Sequence, residues 1–296
     1  MSEIKPIFEL LLWNNCNNAC KFCHMHKNHH AEKFLTQEKR VDSLKQEESF
    51  LDSTVFIQGS HLLLVGGELF DTKFTAEVEQ AFFSLIAKVR NFMLSGKIDL
   101  LYVNTNLIYP DLECLTWFLT VFQEAKLLPR IKFTTSYDLY GRFATETAEN
   151  IMLNNLKHLT TKYGDDLHIV TNIIMTKQAC EKILSGEFSV KTFEERYGVD
   201  VNMIPYIILT DDMAPTKEQI YNTLLNIDGE LPGYLQNYLQ NLALPQPKYL
   251  YEYNGTTFVY MTEENAACGH NKNFYLYQPD HKSCFICDML RLKELD

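Results

Sequence analysis

Cys16-Asn17-Asn18-Ala19-Cys20-Lys21-Phe22-Cys23 sets three thiols at x3 and x2 spacing on one short loop, where they can converge on one metal centre. The loop follows Phe8-Glu9-Leu10-Leu11-Leu12-Trp13, an apolar run of strand length. The thiolates are therefore expected just past the carboxyl end of a buried first strand, the end where parallel α/β folds gather ligands and catalytic groups. Cys thiolates hold iron–sulfur clusters, and three of them on a four-iron cube leave one iron without a protein ligand. Zinc is the rival occupant: it needs a fourth ligand, and His24, His26, His29 and His30 follow closely enough to offer one.

Outward from this loop the chain alternates between two periodicities. Thr36 opens a helix in which Val41, Leu44, Leu51 and Val55 recur at three- and four-residue multiples. Residues 61–65 form a second strand running into Gly66-Gly67-Glu68. Two glycines at a strand end let the backbone approach a ligand closely, and a carboxylate beside them can receive an ammonium group. A helix over 75–94, a strand over 98–103 ending in Asn104-Thr105-Asn106, and a helix over 111–126 come next. A strand over 130–135 leads into Ser136-Tyr137-Asp138 and Gly141-Arg142-Phe143, then a helix over 145–160, a strand over 167–174, helical segments, and a strand over 201–208. Six βα steps of this kind predict a parallel sheet with helices outside it, wound in one sense by right-handed crossovers.

Past residue 215 the pattern changes. Thr216-x-x-Gln219 reads as a capping box for a helix to about residue 227, a second helix follows Pro232, and Asn254-Gly255 joins two short strands in a hairpin. Cys268-Gly269, a strand over 274–277 and Cys284-Phe285-Ile286-Cys287 then gather three more thiols. The expected fold is α/β: a parallel sheet with outer helices over 1–215, with a small α+β metal-binding extension over 216–296.

Composition narrows the function. The chain has 296 residues, 46% of them hydrophobic, enough for a large core. No apolar run reaches transmembrane length and no signal sequence stands at the start, so a cytoplasmic protein is expected. Six of the eight Cys fall in the two clusters, a metal-ligand pattern and not a disulfide framework. Cys114 and Cys180, alone on helices, read as small core residues. A formal net charge of −11 with scattered Lys and Arg disfavours a duplex nucleic acid as partner.

CxxxCxxC after a first strand, with aromatic Phe22 before its last Cys and a Gly-Gly-Glu turn after the second strand, resembles the radical S-adenosylmethionine (SAM) superfamily over about residues 7–213. The resemblance implies that the sheet and helices of residues 1–215 form a partial (β/α)6 TIM-like barrel, and that a [4Fe–4S] cluster is held on Cys16, Cys20 and Cys23. It also implies SAM held at its amino group by the turn of Gly66, Gly67 and Glu68, with Phe22 near the adenine. Ser136 and Arg142 match polar positions against the ribose and carboxylate, and Asn104 joins this SAM-binding set. Arg142 has an equal reading as an Arg fixing its own loop to a neighbouring acid. The implied activity is reductive cleavage of SAM to a 5′-deoxyadenosyl radical that abstracts hydrogen from a substrate, fed by a one-electron reductant such as flavodoxin or ferredoxin. The tail resembles the start of SPASM and twitch modules, implying a second [4Fe–4S] cluster on Cys268, Cys284 and Cys287. Zinc completed by His270 or His281 is the alternative. By analogy with that tail, the expected substrate is a peptide or protein side chain. The alternatives are a nucleotide or small metabolite, and, from another class, a non-catalytic metal-stabilised binding module. No catalytic residue is assigned.

Overall fold

The computed structural model describes residues 7–13, 15–21, 23, 36–54, 56, 58–70, 74–204, 213–228, 250–253 and 256–259. Phe22, the four His after the Cys loop, Val55, the far end of the sixth strand, the helix after Pro232, Cys268, Cys284, Cys287, His270 and His281 lie outside the described residues.

The strands are β1 (Ile7–Leu11), β2 (Ser60–Val65), β3 (Ile98–Asn104), β4 (Ile131–Ser136), β5 (His168–Ile174) and β6 (Asp200–Ile204). Between them run α1 (Gln37–Ser53), α2 (Ala76–Leu94), α3 (Glu113–Glu124), α4 (Glu146–Tyr163), and the pair α5 (Lys177–Leu184) and α6 (Val190–Tyr197). Helix α7 (Lys217–Leu225) follows β6, and β7 (Leu250–Tyr253) pairs antiparallel with β8 (Thr256–Val259), the register the Asn254-Gly255 turn predicts. Thr or Ser caps most of the helices: the side chains of Thr36, Thr75, Thr145, Thr176, Ser189 and Thr216 each accept the backbone N–H three residues on. Such caps contribute about 1 kcal/mol apiece. The capping box at Thr216 and Gln219 is formed in both directions.

All neighbouring strands pair parallel, in the order β1-β2-β3-β4-β5-β6. This order never reverses, so right-handed crossovers lay every helix on one face, as a partial β/α barrel requires. That face carries Leu10, Leu62, Leu64, Leu101, Val103, Ile131 and Phe133, which share one core with Leu44, Phe82, Leu85, Phe118, Phe122 and Leu156 of the helices. Period-two alternation sends the intervening residues to the opposite face. Near the carboxyl ends those residues are polar and half-buried: Asn104 pairs in register with Thr134, Ser136 with Asn172, and Asn172 with Asn202.

Two details depart from the sequence reading. Helix α1 buries Arg40, Leu44, Glu47 and Leu51, while Val41 is only half-buried. Leu44 and Leu51 keep the expected stripe, and Arg40 is buried in place of Val41 with its guanidinium over the Trp13 ring, 5.2 Å from its centroid, a cation–π placement that suits a charged residue to a buried position. Helix α7 begins just past the expected boundary at 215, yet its Ile220 and Leu224 share a core with Ile173, Met175, Cys180 and Met203 of the last βα unit. Among the described residues no helix is long and apolar enough to cross a membrane.

Candidate functional site

The site is built on the chain just beyond β1, β2, β3 and β4. After β1, Trp13 is the pivot of the first two loops. Its carbonyl accepts the Gly67 N–H (2.9 Å), its Nε1–H donates to the Glu68 carbonyl (2.7 Å), and the Asn15 carbonyl accepts the Glu68 N–H (2.7 Å). The Cys loop and the Gly-Gly-Glu turn are thereby stapled together. Gly66 is needed for the fit: a Cβ there would stand 2.7 Å from Leu69 Cδ2 and 2.9 Å from the Trp13 carbonyl oxygen, inside any real contact distance.

Glu68 is 1% exposed, and its carboxylate is cradled by the chain. Oε1 accepts from the N–H groups of Leu69 (2.9 Å) and Phe70 (3.2 Å) and from the Thr105 hydroxyl (2.9 Å), while Oε2 accepts the Asn106 N–H at 2.5 Å. The third loop thus closes on the second. Its backbone carries Leu107 at φ 56, a left-handed conformation that a leucine adopts only under restraint. Asn155 of α4 supplies that restraint, its Nδ2 donating to the carbonyls of Leu107 (3.0 Å) and Tyr109 (2.7 Å).

The fourth loop meets the Cys loop from the other side. Asp138 is buried, accepting Arg142 Nε–H at 2.6 Å and the Ile174 N–H at 2.6 Å. Arg142 therefore does fix its own loop to a neighbouring acid, the second of its two readings. Burial pushes the Asp138 carboxyl up against the pull of Arg142 and the Ile174 amide. For Arg142, burial works downward and is outweighed by the Asp138 carboxylate, which raises its pKa and keeps the guanidinium charged. The backbone here is joined to the Cys loop: Lys21 N–H donates to the Gly141 carbonyl (2.8 Å) and Asn18 Nδ2 to the Arg142 carbonyl (3.1 Å).

Cys16, Cys20 and Cys23 are free thiols, each half-buried. Burial pushes Cys16 up to about 12 and raises Cys20, so the bare protein holds thiols and a metal would have to displace their protons. Among the described residues no three Cys, His, Asp or Glu side chains are gathered to hold a metal ion as they stand. The donor set nevertheless suits a thiolate-ligated cluster, because N–H groups already address the sulfurs. The Asn18 N–H lies 3.4 Å from Cys16 Sγ, Asn18 Nδ2 3.3 Å from Cys20 Sγ, and Asn106 Nδ2 3.5 Å from Cys16 Sγ.

Of the residues singled out from sequence, Cys16, Cys20, Cys23, Gly66, Gly67, Glu68 and Arg142 lie in these interlocked loops. Asn104 and Ser136 end β3 and β4 on the polar face, half-buried. Sequence reading missed Trp13, Asn18, Thr105, Asn106 and Asp138. The polar run Asn104-Thr105-Asn106 at a strand end was the available signal, since polar residues there have no core to fill. No family model matches the chain, and no curated protein matches it.

Proposed function

We propose that this protein is a radical SAM enzyme, in which Cys16, Cys20 and Cys23 hold a [4Fe–4S] cluster and the Gly66-Gly67-Glu68 turn meets the amino group of SAM. The observation that carries this reading is the stapling of the Cys loop to the Gly-Gly-Glu turn through Trp13 at the carboxyl ends of adjacent parallel strands. A structural zinc loop needs no such partner. A cluster held by Cys16, Cys20 and Cys23, given one electron by an external reductant, would supply reductive cleavage of the SAM sulfonium and, through it, hydrogen abstraction from a substrate. The chain's share is binding, orientation and exclusion of water. The Glu68 carboxylate accepts from the N–H groups of Leu69, Phe70 and Asn106 and from the Thr105 hydroxyl, which fix its position for the proposed contact with an ammonium group. Arg142 and Asp138 fix the floor beneath Asn18 and Cys20. Ser136 is proposed to meet the ribose or carboxylate of SAM, and Asn104, also on the polar face, to join the SAM-binding set. A one-electron reductant is the implied protein partner. The substrate is proposed to be a peptide or protein side chain, by analogy of the Cys268, Cys284 and Cys287 tail, with a second cluster or zinc there.

Anaerobically reconstituted protein given a strong reductant and SAM should form 5′-deoxyadenosine without added substrate, and Cys16→Ala should abolish it. A Cys16→Ala variant of full activity would refute the assignment. The same preparation decides the tail, with about eight iron per chain for two clusters against about four iron and one zinc.

A further inference from the structure

We propose that the side-chain amides of Asn18 and Asn106 set the reduction potential of the centre on the Cys loop through N–H···S hydrogen bonds, an inference that rests on the iron–sulfur reading above. The two amides come from opposite sides. Asn106 reaches Cys16 Sγ from the loop after β3 at 3.5 Å, and Asn18 reaches Cys20 Sγ from within the Cys loop at 3.3 Å. Both are almost fully enclosed, Asn106 at 7% and Asn18 at 8% exposure, so neither donor can turn to bulk water.

Each amide is also held in place by other bonds. Asn106 Oδ1 accepts the Ile108 N–H (2.7 Å), its Nδ2 donates to Asn17 Oδ1 (2.7 Å), and its backbone N–H is taken by Glu68. Asn18 Nδ2 donates to the Arg142 carbonyl at 3.1 Å. These bonds fix which way each amide faces, because the Ile108 N–H and the Arg142 carbonyl require Oδ1 and Nδ2 where they stand. An amide fastened so firmly beside a thiol is a built donor.

The chemistry follows from charge. Taking one electron from a one-electron donor makes the cluster and its thiolates more negative, with no bond to the protein made or broken. A fixed N–H dipole pointing at sulfur stabilises the more negative state more, so it raises the potential. Asn106 has a second role as the link between the carboxylate proposed to receive SAM and the thiolate proposed to hold iron. The path Glu68 Oε2, Asn106 and Cys16 Sγ crosses one residue.

The test uses the full chain, reconstituted without oxygen, with a redox titration followed by the paramagnetic signal of the reduced cluster. Asn18→Ala and Asn106→Ala remove one donor each without changing charge. Both should move the midpoint to a more negative potential at unchanged iron per chain, and the double variant should move it further than either. Unmoved potentials at full iron content would overturn the proposal alone. A variant that folds by circular dichroism but holds no iron would also count against it, since the role assigned is tuning and not assembly. If Asn106→Ala does not fold, Asn18→Ala decides. Wild-type protein that forms no cluster would bring down the iron–sulfur reading and this proposal with it, an outcome distinct from a loaded wild type with unmoved variants.

Discussion

Glu68 and Asp138 are two buried carboxylates flanking the same Cys loop, and the chain holds them in opposite ways. Asp138 meets Arg142 and one backbone amide, so its charge is answered by a cation of the same chain. Glu68 meets three backbone amides and a hydroxyl, which fix its geometry with uncharged donors. The first arrangement is a fastening: it ties the end of β4 to the end of β5 and presents the Arg142 carbonyl to Asn18. The second holds a carboxylate rigidly in place, the preorganised geometry that its proposed role of receiving an ammonium group calls for. The difference is felt by the thiols. Burial raises both, and the Asn18 N–H holds Cys16 back; among charges the largest on Cys16 is that of Glu68, which pushes it up, whereas the largest on Cys20 is that of Arg142, which pulls it down.

The comparison can be broken most forcefully at Asp138. Asp138→Ala leaves the Arg142 guanidinium buried without its counter-ion and should cost about 3–5 kcal/mol in denaturant unfolding. A loss under about 1 kcal/mol would mean that the pair is not a fastening. A comparable loss is expected at Glu68: Glu68→Ala strands four buried donors, each costing about 1–3 kcal/mol where no water takes the place of the carboxylate. Glu68→Gln can keep the three bonds at Oε1, but it removes the charge and sets an amide N–H group against the Asn106 N–H, whose bond to Oε2 is lost. In equilibrium binding it should weaken SAM about ten- to hundredfold at unchanged iron content, as loss of a charge-assisted contact of about 1.5–3 kcal/mol requires. Equal SAM affinity in the Gln variant would make Glu68 a second fastening. The smallest effect is a pH dependence in the metal-free protein. Because the folded state holds the Cys16 thiol above its ordinary 9.0, up to about 12, this group leaves folding unaffected below pH 9 and weakens it as the pH climbs toward 12. Glu68→Gln should narrow that window by lowering Cys16, measured as alkylation rate of Cys16 against pH. An alkylation profile that does not move would remove Glu68 from the surroundings of Cys16.

The elements were legible because local rules write them. Thr36, Thr75, Thr145, Thr176 and Thr216 stand at the helix starts that capping chemistry predicts, and apolar strand runs alternate with helical stripes throughout. Where a side chain meets a distant partner, the local rule failed. Leu44 and Leu51 are buried as the apolar stripe requires, but Arg40, whose guanidinium lies over the ring of Trp13, is buried in place of Val41, a contact that a count of apolar residues cannot show. Asn106 illustrates the same limit within the site. Its amide lies 90 positions from Cys16 in sequence and close to it in space, a proximity that parallel pairing of β1, β2 and β3 creates.

The amino-acid sequence by itself determined the six βα repeats, the helix caps and the two motifs, since each depends on residues within a turn or two of one another. Only the tertiary structure decided that Trp13 joins those motifs, that Arg142 belongs to Asp138, and that Glu68, Asn106 and Cys16 form one chain of hydrogen bonds. The physical reason is that buried polar groups must find partners wherever the fold brings them, and an unreversed parallel sheet brings the ends of successive strands together.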